Sequence, residues 1–198
     1  MGKLLWEYLL MKNDPVSAFR EFKPALRFLL VFIGVYIAGN VVYGLYVEWY
    51  RPQPDPLTKW VTSQSALLLT AFSEPVKASV SEKGPFVLLT KNDRTVLSVF
   101  EGCNGLNVMI VFASFVVAFG GKTRSIFLFI LSGVVLLHLA NLIRLILLYQ
   151  TAVNKPAWFY YFHKYLFTAI LYVVVFGLWY FWIERIRRTS KQVGPAKE

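Results

Sequence analysis

One cysteine and two histidines occur among 198 residues, and charged residues make up only 16% of the chain. A lone thiol closes no internal bridge, so a disulfide scaffold is excluded and the redox compartment is left open. Soluble chains carry about 25% charge. A chain poorer than that, and this apolar, reads neither as a disordered segment nor as a cytosolic enzyme. There is no metal-ligand cluster, phosphate loop or Gly-x-Ser-x-Gly elbow, so no metal and no cofactor is expected. Internal repeats and low-complexity segments are missing too. What is present is hydrocarbon: 57% of residues are hydrophobic and 17% aromatic. With the 12 glycines the apolar share reaches roughly 63%, against about 45–50% in soluble chains. This is the composition of a polytopic membrane protein.

The expected fold is an all-α membrane protein with about four transmembrane helices, at 28–47, 104–119, 125–149 and 165–183. The first run is long for a signal peptide, and residues 1–27 precede it, so it reads as an uncleaved anchor. The second and third are joined by Gly120-Gly121-Lys122-Thr123-Arg124, a tight turn that makes them an antiparallel hairpin. The formal charge is +10. No basic helix or RNA-binding signature holds it, and no nucleic-acid partner is expected. The cations flank the spans instead: Lys3, Lys12, Arg20, Lys23 and Arg27 before the first, Lys122 and Arg124 in the turn, and Arg185, Arg187, Arg188, Lys191 and Lys197 in the tail. The positive-inside rule puts these three groups in the cytosol, so 1–27 and 184–198 are cytosolic and the loop 48–102 lies outside. Trp49 and Tyr50, Trp158 to Phe162, and Trp179, Tyr180 and Trp182 mark span borders, where aromatic rings settle at headgroup level.

The outer loop has its own structure. Arg51-Pro52-Gln53-Pro54-Asp55-Pro56 is an extended linker. Trp60–Phe72 carries an apolar helical stripe, suited either to the membrane surface or to the core of a small outer domain. The β-rich stretches 85–90 and 95–100 flank Lys91-Asn92-Asp93-Arg94, which predicts a short β-hairpin.

Three residues stand out on this map. Cys103 is at the outer mouth of the second span, Arg144 lies roughly 7–8 Å below the outer end of the third by helical rise, and His163 is at the outer entrance of the fourth. Each has a plain reading: a small buried hydrophobe, a snorkelling side chain, an interfacial imidazole. Yet a charge inside a span costs about 2.5–3.5 kcal/mol on insertion scales and usually faces a cavity or a partner. Together the three suit thiol-based acyl transfer, with a cation favouring the thiolate and an imidazole moving protons. Gly102 and Gly105 leave room for close backbone approach, with Asn104 between the thiol and Gly105. Asn141 and His138 share a stripe with Arg144 at steps of three. Asn141 is expected to hydrogen-bond Arg144 or a neighbouring helix, and His138 to be structural. Glu101 is placed to pair with Arg144 or His163, or to stand as a solvated acid.

Glu101-Gly102-Cys103-Asn104-Gly105, Asn141-Leu142-Ile143-Arg144 and Phe162-His163-Lys164, in this order and at span borders, resemble the exosortase/archaeosortase family of membrane transpeptidases. The small size and aromatic-rich outer loop resemble its F type from Bacteroidetes. The resemblance implies a cysteine transpeptidase that cleaves C-terminal sorting signals of exported proteins, each a short motif, an apolar helix and a basic tail. It implies transfer to a lipid or glycan acceptor at the periplasmic face of a bacterial inner membrane. Carried over, Cys103 is the nucleophile, Arg144 the oxyanion or positioning group and His163 the acid/base. Many members have more spans, so the chain resembles a trimmed core that an accessory partner completes. Two other functions fit the residues: a non-enzymatic docking or assembly protein of a secretion or polysaccharide system, and a transporter with Arg144 in its path.

Overall fold

The computed structural model describes residues 15–72 and 75–192. Lys3, Lys12 and Lys197 of the flanking cations lie outside them. Helix α1 (Pro15–Tyr50) runs well beyond the expected span at both ends, with Pro24 inside it. Helix α2 (Pro56–Phe72) follows, then strands β1 (Lys77–Val80), β2 (Val87–Lys91) and β3 (Arg94–Val99). A 3-10 turn at Glu101–Cys103 leads into α3 (Leu106–Phe119) and α4 (Thr123–Asn154). A second 3-10 turn, Pro156–Trp158, opens a short helix α5 (Phe159–Tyr161), a π-helical turn at Phe162–Leu166 and helix α6 (Phe167–Gln192).

Three stretches are long and apolar enough to cross a membrane: Phe22–Tyr50, Thr123–Asn154 and Pro156–Arg188. Leu106–Phe119 is apolar but shorter. At about 1.5 Å per residue its 14 residues fall short of a hydrocarbon core of about 30 Å. The chain is therefore an integral membrane protein, mostly helical, with three full-length spans and one short apolar helix between them.

Packing explains why these runs form one bundle. Gly39 of α1 receives Ile110 of α3; a Cβ there would stand 2.8 Å from Ile110 Cγ2. Gly133 of α4 receives the Phe112 ring, which fills the place a Cβ would take. Small residues at helix contacts let backbones close up where lipid offers no hydrophobic drive. Around them Met109, Phe112, Val116, Leu137, Val175, Leu178 and Trp182 form one core. Trp182, expected to mark a span border, lies beside the Gly121 turn and is buried, stacked on Phe129 with ring centroids 4.7 Å apart. The α3–α4 turn forms as expected, with Gly120 (φ 82°) and Gly121 (φ 139°) in conformations that side chains resist.

A second core joins α2, the sheet and α4, through Val61, Leu69, Leu89, Leu97, Val99, Leu145 and Leu148. Of the two readings of Trp60–Phe72, the core helix is the one found, although Leu67 and Phe72 stay exposed. Its buried Thr62 and Ser65 donate to carbonyls four residues back, at 2.7 and 3.0 Å, so they need no outside partner. Asp55 starts the helix: its carboxylate accepts from the Thr58 backbone N–H at 2.9 Å, and Pro56 takes the first helical position.

The predicted hairpin is there. Asn92 (φ 48°) and Asp93 (φ 60°) form its two-residue turn between paired Lys91 and Arg94. β1 is an addition that the sequence reading lacked: it pairs antiparallel with β2, giving the order β1-β2-β3. Pairing passes from Leu89↔Leu97 to Thr90↔Thr95, which leaves Val96 as an extra residue in β3, a bulge.

Candidate active site

The loop between β3 and α3 is built to hold Cys103 still. The Cys103 N–H donates to the Phe100 carbonyl at 2.8 Å, closing the 3-10 turn. Asn104 is buried and anchors the loop from three sides. Its amide donates to the Tyr43 hydroxyl at 2.8 Å and to Thr58 Oγ1 at 3.2 Å, while its Oδ1 accepts from the Leu106 N–H at 2.9 Å. Tyr43 in turn donates to the Glu101 carbonyl at 2.8 Å, and the Thr58 hydroxyl donates to Asp55. Residues from α1 and α2 thus fix a loop that precedes α3. Buried polar groups that are fully partnered in this way rigidify what they hold.

Asn141 of α4 completes the frame. Its Nδ2 donates to the Cys103 carbonyl at 3.0 Å, and its Oδ1 accepts from Arg144 Nη1 at 3.3 Å. The expected bond to Arg144 is found, and the other end of the amide reaches the loop before α3 rather than a neighbouring span. Gly105 has φ 86°, and a Cβ on it would come within 3.0 Å of Asn141 Cγ. Gly105→Ala should cost the left-handed penalty of about 1–2 kcal/mol and displace Asn141 as well. We expect a lower unfolding midpoint in thermal melts of the detergent-solubilised protein, and more of that loss than Gly34→Ala produces, since a Cβ at Gly34 meets nothing within 4 Å.

Cys103 and His163 line one cavity of about 230 Å³, bordered by Val96 to Val99 of β3 and by Leu145, Leu148 and Phe159. The Arg144 guanidinium acts electrostatically on both the thiol and the imidazole. Burial pushes the Cys103 thiol up from its ordinary range; the Arg144 charge, and its hydrogen bond to the sulfur, oppose that shift. His163 rides on the π-helical turn, a feature that often re-aims a side chain at functional sites. The ring lies against Phe159, with centroids 5.7 Å apart. Two polar atoms here, Arg144 Nε and His163 Nδ1, are buried without a hydrogen-bond partner among the described residues. Such orphans cost about 1–3 kcal/mol each, and a catalytic role is one of the few reasons to keep them.

The sulfur and the imidazole, from separate segments, thus share one pocket, and the Arg144 guanidinium is near enough to act on both. Other candidates do not join it. Glu101, expected to pair with Arg144 or His163, pairs instead with Arg51 at 4.0 Å, and its charge helps to raise the Cys103 thiol. His138 bonds Gln64 at 2.8 Å and stacks on Trp60, with centroids 4.8 Å apart, tying α4 to α2. Lys164 donates to the Tyr160 hydroxyl in an exposed pair. Among the described residues, no group of three His, Cys, Asp or Glu could hold a metal ion.

Sequence reasoning missed Tyr43, Thr58 and Asp55. Asp55-Pro56 carried a helix-start signal that the linker reading passed over. Tyr43 carried none, since nothing marks one phenol in an apolar run as a hydrogen-bond donor.

A thiol and an imidazole in one small apolar cavity, with a guanidinium acting on both, can support covalent acyl transfer. Searches of curated proteins and of solved structures find no match. The family model for transmembrane exosortases matches residues 23–180, which takes in the loop, Arg144 and His163. The match covers most of the chain, and the protein belongs to the transmembrane exosortase family.

Proposed function

We propose that the protein is a cysteine transpeptidase that cleaves C-terminal sorting signals of exported proteins at the non-cytosolic face of a bacterial inner membrane. The observation that carries this reading is the shared cavity of Cys103 and His163, with Arg144 acting on both. The Cys103 sulfur attacks a peptide carbonyl of the substrate, and the thiol proton passes to His163. A C–S bond forms and the carbonyl oxygen takes up negative charge, which Arg144 stabilises. His163 returns the proton to the departing amine as the C–N bond breaks, leaving a thioester. An acceptor hydroxyl or amine, on lipid or glycan, or water, then attacks the thioester. It gives its proton to His163, which hands it back to the sulfur. The cations Lys23, Arg27, Lys122, Arg124, Arg185, Arg187 and Arg188 lie toward the other end of the spans, which supports both termini in the cytosol and the cavity outside, with the short α3 as a fourth crossing that a locally thinned bilayer accommodates.

Impermeant maleimide on spheroplasts tests sidedness and reactivity together. We expect Cys103 to label without permeabilisation, and substrate processing to stop as it does. Because burial raises the thiol, its labelling rate should still be climbing at and above pH 8.5, the usual thiol value. Arg144→Gln removes the opposing cation and should move the profile to higher pH. Labelling that needs permeabilised membranes would overturn the orientation.

A further inference from the structure

A transpeptidase has to hold a peptide extended, with one carbonyl near its nucleophile. The strand order β1-β2-β3 leaves β3 paired on one side only among the described strands. Four consecutive β3 residues, Val96, Leu97, Ser98 and Val99, line the cavity that also holds Cys103 and His163. Successive side chains of a strand point to opposite faces. A cavity laid on one face therefore touches alternate residues, whereas one that touches four in a row meets the strand's edge. Leu145, Leu148 and Phe159, on the far side, are hydrocarbon and offer the edge no hydrogen bonds. Backbone N–H and C=O groups in such a place need partners, and an extended peptide supplies them in register. The bulge at Val96 turns the strand locally beside the cavity.

We propose that the substrate segment beside the cleaved bond adds to β3 as a fourth strand, which delivers its scissile carbonyl to Cys103. This assignment rests on the transpeptidase reading. Main-chain bonds to the edge supply binding, and the cavity supplies selection. At about 230 Å³ it falls below the pockets of about 300–1,000 Å³ that hold drug-sized ligands. It suits a small apolar side chain and a short length of backbone.

The test uses the full chain in membranes. The probe is an exported reporter ending in an apolar helix and a basic tail, chosen because the Cys103 chain shortens it and the Cys103→Ala chain does not. In the Cys103→Ala background, which has no other cysteine, Ser98→Cys provides a single thiol at an exposed edge position. Single cysteines are then scanned through consecutive reporter positions before its helix. Disulfide capture should alternate with a period of two. Ser98→Cys should accumulate to the wild-type level and keep the thermal unfolding midpoint of the detergent-solubilised chain, which shows that the edge variant folds. Capture without alternation, or no capture of a reporter that is processed, overturns strand pairing and leaves the transpeptidase reading standing. If no such reporter is shortened in a Cys103-dependent way, both fall.

Discussion

Cys103→Ala should stop the shortening of every substrate, a loss on the order of 10⁶-fold that reaches background, as removal of a covalent nucleophile does. No other thiol exists in the chain to replace it. Cys103→Ser tests the same point with nearly conserved volume. A hydroxyl buried beside Leu145 and Leu148 is a far weaker nucleophile than a thiol, so it should be almost as inactive. Both variants should accumulate to the wild-type level, because the loop is fixed through backbone groups and through Asn104, not through the sulfur. Immunoblots of substrate size and of the chain itself, from the same cells, separate the two effects. Unchanged processing by Cys103→Ala would sink the enzymatic reading and favour a docking protein.

Arg144→Lys should be nearly as damaging, at roughly 100- to 1,000-fold in the rate of cleavage, the usual loss for one oxyanion donor. Lysine keeps the charge but not the fork. In the native site Nη1 donates to Asn141, and the same guanidinium also hydrogen-bonds the Cys103 sulfur. A single ammonium on a flexible stem cannot hold both positions. Single-turnover assays should show the acylation step slowed. Arg144→Lys should therefore behave like Arg144→Gln in rate, yet retain more of the normal pH profile of Cys103 labelling, because charge survives. A lysine variant with full activity would reduce Arg144 to a source of positive potential.

Much of this site was legible because membrane composition makes rare residues conspicuous. A guanidinium in the apolar run 125–149 needs a reason to be there, and Cys103 and His163 sat at span borders on the same side. Asn141 was legible through its helical step from Arg144. Other features had no comparable contrast. β1 is four residues, Lys-Ala-Ser-Val, too short and too polar to show alternation. Trp182 looked like a headgroup anchor because sequence does not tell an exposed border ring from one packed into a neighbour's groove. Glu101 offered several partners, and only the backbone turn at Glu101–Cys103 decided that it faces Arg51. The length of α1 was hidden because its N-terminal turns carry Arg20, Lys23 and Pro24, which read as a loop before a span.

Asn141 holds the Cys103 carbonyl with one end of its amide and Arg144 with the other. The Cys103 loop and the guanidinium are therefore tied to each other through one side chain of α4. His163 belongs to another segment, the irregular junction that leads into α6. Rocking of that junction against α4 would change the imidazole's reach more than the spacing of the first pair, so on the proposed mechanism helix motion would time proton transfer.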